Sequence, residues 1–164
     1  MNPNYAVERT PYGRRSPWLL ALKTMSCILR VSGTALNVDA LLSEVRLQPD
    51  RFWRMGEPRS RVAKTPHLNS GANYLASDAD FDAFEKQVVE ATAFLESNLA
   101  SVRGIANFPG VEQATLDFGV ALNVGNLAVC SYLPPSLIRL AAQANIGIEV
   151  STYVCNDAPA SVEG

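Results

Sequence analysis

Phe81, Phe84, Val88, Ala91, Leu95, Leu99 and Val102 recur at spacings of three or four residues, which places one continuous apolar stripe on a single long helix. Asp82, Glu85, Lys86 and Glu90 fall elsewhere on the wheel. Ser77-Asp78-Ala79-Asp80 supplies a capping box at the start, and Arg103-Gly104 supplies a cation and a C-cap glycine at the end. At 1.5 Å per residue the helix is roughly 35 Å long, enough to cover a small sheet diagonally.

The sheet is legible from alternation. Leu116, Phe118, Val120, Leu122 and Val124 alternate with Thr115, Asp117, Gly119, Ala121 and Asn123, the pattern of a long strand with one buried face in an antiparallel sheet. Gly125-Asn126 predicts a hairpin turn into a strand over 127–132. Pro134-Pro135 starts a helix with Leu137, Ile138, Ala141 and Ala144, and Ile148, Val150, Thr152 and Val154 alternate as the last strand. Nearer the start, Cys27, Leu29 and Val31 predict a strand that ends at Ser32-Gly33-Thr34. Asn37 then caps a short helix carrying Val38, Leu41, Leu42 and Val45. Pro49 stops that helix and turns the chain into a short strand over 51–55, closed by Gly56-Glu57-Pro58. Residues 58–73 read as a loop or ragged hairpin around His67, the only histidine, with a short strand over 73–76.

This order, with antiparallel strands and helices on one face, predicts an α+β fold of the ferredoxin-like sandwich type. We divide the chain into an N-terminal arm over 1–24, read as disordered, a single α+β domain over 25–156, and a frayed tail over 157–164. One core suffices, because a chain of 164 residues buries roughly 70% of its unfolded surface. Arg14-Arg15 before an apolar run of five residues invites an export reading, but the run is shorter than the ~7–15 residues of a signal core. No stretch reaches the ~18 apolar residues of a membrane span. Cys27, Cys130 and Cys155 have no paired spacing, so a reducing, cytoplasmic setting is expected and buried cysteine is the simplest role.

The net charge of −2 conceals an uneven distribution. Residues 1–67 hold eleven Lys and Arg against five Asp and Glu, whereas residues 68–164 hold three against eleven. Six of the fourteen basic residues lie between positions 46 and 64. Local rather than total charge sets the field at a surface, so the first half can attract an acidic partner. Mutual compensation within a monomer or across a homo-oligomer is the competing explanation, and the sequence leaves an oligomer open.

Residues 27–153 carry a further pattern: a strand, a short helix running into Leu47-Gln48-Pro49, the segment Trp53-Arg54-Met55-Gly56-Glu57, the long helix, and a terminal strand–helix–strand unit over 116–154. In this the chain resembles the bacterial family catalogued as domain of unknown function 4279. The resemblance implies a compact bacterial cytoplasmic domain without assigned chemistry, and some small families of this kind serve as partner-binding or immunity-type proteins.

His67 stands alone, which leaves a histidine zinc site or a Ser-His-Asp triad without partners, and it is expected to be solvent-exposed. Asp78, Asp80 and Asp82 suggest a calcium loop, but Ala83 and Val89 occupy the positions that need glycine and glutamate. No phosphate-loop or dinucleotide motif occurs, and no cofactor is implied. The candidate partner-binding set is Arg51, Trp53, Arg54, Glu57, Arg59, Arg61 and Lys64, where guanidinium forks can grip carboxylate or phosphate and an indole can stack. Packing in the core is the simpler expectation for Trp53. Nucleic acid is disfavoured because only Phe52 and Trp53 are available, on adjacent positions that face opposite ways. The leading expectation is a non-enzymatic module for an acidic protein partner. The alternative is a small-molecule or nucleotide-handling enzyme with a pocket between this segment and the sheet.

Overall fold

The long helix and the alternating strands meet in one layer each. The computed structural model describes residues 26–60, 62, 64–123 and 129–155. The chain runs β1 (Cys27–Gly33), α1 (Val38–Glu44), β2 (Arg51–Trp53), β3 (Ser70–Ser77), α2 (Phe84–Ala106), β4 (Gln113–Asn123), α3 (Pro135–Ala144) and β5 (Gly147–Cys155). These form an α+β structure with a five-stranded mixed sheet in the order β2-β3-β1-β4-β5. The pairs β1/β3, β1/β4 and β2/β3 are antiparallel, and β4/β5 is parallel. The parallel pair follows from α3: a helical crossover returns the chain to the end of the sheet it left, so β5 enters in the direction of β4.

Register sorts the side chains into two faces. Tyr74, Leu29, Leu116 and Ile148 lie opposite one another across four strands; the first three join Cys27, Val31, Ala72, Ala76 and Phe118 in one buried cluster, and Ile148, partly buried, packs against it. Val38 and Leu41 of α1, Val88, Ala91, Leu95, Val102 and Ile105 of α2, and Leu137, Ala141 and Ala144 of α3 complete it. All three helices therefore cover the same face of the sheet. The residues between these positions point to the other face, where Arg51, Asn73, Arg30, Thr115 and Gly147 form a row across all five strands.

Several local expectations change in three dimensions. The capping box does not start α2, whose N-cap is Ala83 without a side-chain bond. Ser77 instead closes β3, receiving the Ala79 amide and donating to Glu90 at 2.6 Å, while Asp80 accepts the Phe81 amide. Phe81 is thereby left in the connection, where its carbonyl accepts the Ala121 amide of β4. Gln87, fully buried on α2, donates to the carbonyls of Asp80 and Gly119 at 2.9 Å each and ties this connection to β4. The helix also departs from helical geometry at Asn98, whose side chain bonds the Phe94 carbonyl.

The expected strand over 127–132 is not formed where it can be followed: residues 129–132 belong to no strand. A hairpin partner would occupy the edge of β4 that β5 takes by parallel pairing. β3 is longer than expected and β2 is shorter. The Gly125-Asn126 turn, the arm over 1–24 and the tail over 157–164 lie outside the described residues. Among the described residues, no helix is long and apolar enough to cross a membrane.

Leu95 and Val89 share α2, the first fully buried and the second 68% exposed. Leu95→Ala is expected to cost about 3 kcal/mol in urea unfolding, from lost transfer energy and the cavity left behind. Val89→Ala should stay within about 0.5 kcal/mol of the parent.

Candidate functional site

The basic segment begins where Pro49 has ended the run from α1. Asp50 then docks the chain on β3: its amide bonds the Asn73 carbonyl at 2.9 Å, and its carboxylate receives the Leu75 amide at 2.6 Å. Three paired residues follow, Arg51 opposite Asn73, Phe52 opposite Ala72 and Trp53 opposite Gly71. Strand alternation sends Phe52 to the helix side of the sheet and both Arg51 and Trp53 to the other side.

Beyond Trp53 the chain turns at Gly56, whose φ of +84° suits glycine, and doubles back as a narrow ribbon. The Gly56 amide bonds the His67 carbonyl and the His67 amide bonds the Glu57 carbonyl, both at 2.8 Å. Pro58 pairs with Pro66, and the Arg59 amide reaches the Thr65 carbonyl at 3.0 Å. Of the loop and the ragged hairpin that the sequence allows around His67, the backbone pairing forms the hairpin.

The ribbon brings His67 over Trp53, with ring centroids 5.4 Å apart and planes 22° from parallel. The indole N–H donates to the Asn69 side chain at 3.2 Å. Trp53 needs Gly71 beneath it, since a β-carbon there would lie 2.3 Å from its ring. Two expectations are thus corrected. Trp53 is half-buried on the face away from the helices, outside the hydrophobic core. His67 is half-buried by this stacking rather than solvent-exposed.

The basic residues divide into two groups. Arg54 is held by carboxylates, Asp39 of α1 at 2.6 Å and Glu57 at 3.1 Å, with its guanidinium 5.1 Å from the Phe52 ring. Its side-chain hydrogen bond holds Asp39 below the usual carboxylate range. Glu57 is lowered first by the Arg54 backbone N–H and then by the guanidinium. Arg54 therefore joins α1 to the turn after β2. Arg51 donates to the Arg59 carbonyl at 3.0 Å, and Arg51, Arg59 and Lys64 are exposed. Among the described residues, no carboxylate forms an ion pair with any of these three. Burial, then Arg59 and Arg51, push the His67 imidazole below its ordinary value of 6.5. Arg61 lies outside the described residues.

Next to this cluster the uncovered face of the sheet carries a polar network that sequence reading did not single out. Arg30 of β1 pairs with Asp117 of β4 at 2.9 Å, and Ser151 of β5 donates to the same carboxylate at 2.7 Å. Asp117 is almost wholly buried, so its charge is matched across both neighbouring strands. The available signal was parity: Arg30 and Asp117 occupy the polar positions of their alternating strands.

Two depressions lie elsewhere. An open groove of about 840 Å³ runs between α2 and α3 past Glu96, Arg103, Asn107 and Gln143. A smaller one of about 230 Å³ lies by Phe84, Cys130 and Tyr132. Neither is lined by a residue of the basic segment. Among the described residues, no group of three or more His, Cys, Asp and Glu side chains could hold a metal ion. Comparison of the chain with family models, with curated proteins and with solved structures finds no match.

Gly71→Ala should force Trp53 off the strand, because the new methyl would also lie 2.5 Å from the Val31 carbonyl. We expect a loss of about 1–3 kcal/mol and an altered tryptophan emission spectrum. His67 adds a pH dependence. Its folded pKa is below 6.5, so the unfolded chain takes up the proton first. This contribution is complete above pH 6.5 and is lost as pH falls toward the folded value. His67→Gln should flatten stability against pH in that window, measured by urea unfolding.

Proposed function

We propose that the chain is a non-enzymatic partner-binding module that presents its β2 edge and ribbon to an acidic protein surface. The observation that carries the reading is the division among the arginines. Arg54 is neutralised internally, whereas Arg51 and Arg59, close enough to His67 of the Trp53–His67 stack to lower its pKa, and Lys64, exposed on the same ribbon, have no carboxylate partners among the described residues. A stacked aromatic pair fringed by cations that have no carboxylate partner among the described residues fits an anionic protein patch, with the rings supplying contact area and the cations supplying steering. Glu57 serves this surface indirectly, by holding Arg54 and the turn.

The architecture supports the ferredoxin-like reading for the first six elements. Their strand order β2-β3-β1-β4 is antiparallel throughout and matches a split β-α-β arrangement, with α3 and β5 added at one edge. A cytoplasmic setting agrees with Cys27 and Cys130 both being free thiols. The resemblance to domain of unknown function 4279 points to an immunity-type role, in which the partner would be encoded beside this chain.

Affinity capture from the native host tests the proposal. The wild-type chain should retain one stoichiometric acidic protein. Arg51→Glu with Arg59→Glu should weaken its binding about tenfold or more, with a matching sensitivity to salt. Arg103→Glu with Arg139→Glu, which changes net charge equally on other elements, should leave binding intact. Equal loss in both double variants would refute the surface. Binding should also strengthen below pH 6.5, because an acidic partner offsets the arginines and favours protonated His67.

A further inference from the structure

The two edges of the sheet are built differently. At one edge β2 has only three residues, the Asp50 carboxylate receives the next amide of β3, and the ribbon folds alongside. At the other edge β5 runs for nine residues and, among the described residues, pairs only with β4. β5 contains no proline, lysine or arginine, and Glu149 is its one charge. Val150, Tyr153 and Val154 are 37%, 52% and 63% exposed. Soluble proteins protect long edge strands with lysines, proline, bulges or covering segments, since an open edge is a template for another strand.

We infer that β5 is the dimer interface of this protein, pairing antiparallel with β5 of a second copy about a two-fold axis normal to the sheet. The sequence of β5 is self-complementary in the register centred on Ser151, which pairs all nine residues. Ile148 then faces Val154 and Val150 faces Thr152 on the helix side, while Glu149 faces Tyr153 on the other side. No charge meets its like, and β-branched residues oppose each other. A register two residues toward the N-terminus, centred on Glu149, would set the two carboxylates against each other. The blunted β2 edge offers no strand of matching length, so head-to-tail growth from β5 to β2 is disfavoured and the assembly closes as a dimer. Two five-stranded sheets become one of ten strands, with a basic edge at each outer end.

Sedimentation equilibrium of the full chain at high micromolar concentration tests this. The wild type should have twice the chain mass. Tyr153→Lys should remain dimeric, because the new cation faces Glu149 of the other copy. Glu149→Lys combined with Tyr153→Lys should dissociate to monomer, since every such pair becomes lysine against lysine, while circular dichroism confirms an intact fold. A monomeric wild type would overturn the inference and leave β5 to a strand of some other protein. Open-ended assemblies of the wild type, a double variant that stays dimeric, or a Tyr153→Lys chain that dissociates as fully as the double variant would overturn it as well.

Discussion

The structure depends on burying one face of the sheet beneath one long apolar stripe. Tyr74, Leu29 and Leu116 form a continuous row that shares one buried cluster with Val88, Ala91, Leu95 and Val102, and non-directional hydrophobic burial of this kind dominates the favourable side of folding. Because successive strand residues point to opposite faces, committing one parity to that core commits the other to the uncovered side. Arg30, Asp117 and Ser151, together with Arg51 and Trp53 at the β2 edge, are polar or amphipathic for that reason. The candidate surface is thus the complement of the core.

Position within the sheet then decides what each charge does. Asp117 is central and nearly buried, so Arg30 and Ser151 must satisfy it, and breaking such a unit leaves an uncompensated charge. Arg54 stands beside the first turn of α1, where Asp39 and Glu57 hold it, and it acts as a strut between elements. Arg51 and Arg59 lie on the outer edge, where no carboxylate among the described residues pairs with them. The contrast between the two halves of the chain is thereby concentrated at one edge, while the other edge is nearly uncharged.

Patterns without a competing partner survive the passage from sequence to structure, and those with one do not. The stripe of α2, the alternation of β4 and the Asn37 cap of α1 were all readable, because each rests on contacts between residues close in the chain. Ser77 and Asp80 have the chemistry of a capping box, yet β3 and Glu90 compete for Ser77 and the helix begins later. Residues 129–132 show the same conflict: α3 delivers β5 to the edge of β4 that a hairpin partner would need. Trp53 was assigned to the core on residue type alone, whereas its parity opposite Gly71 sends it to the other face.

The sequence by itself determined the α+β class, the elements other than the strand expected over 127–132, the apolar faces and the location of the excess basic charge, since these follow from local periodicity and composition. Tertiary structure alone decided which arginines are neutralised, that His67 returns over Trp53, that Asp117 is shared by Arg30 and Ser151, and that β5 pairs in parallel with β4. Each of these joins residues far apart in the chain. Pairing register and element packing bring such groups within hydrogen-bond or van der Waals range, and neither is encoded at the spacing of a few residues over which sequence patterns repeat.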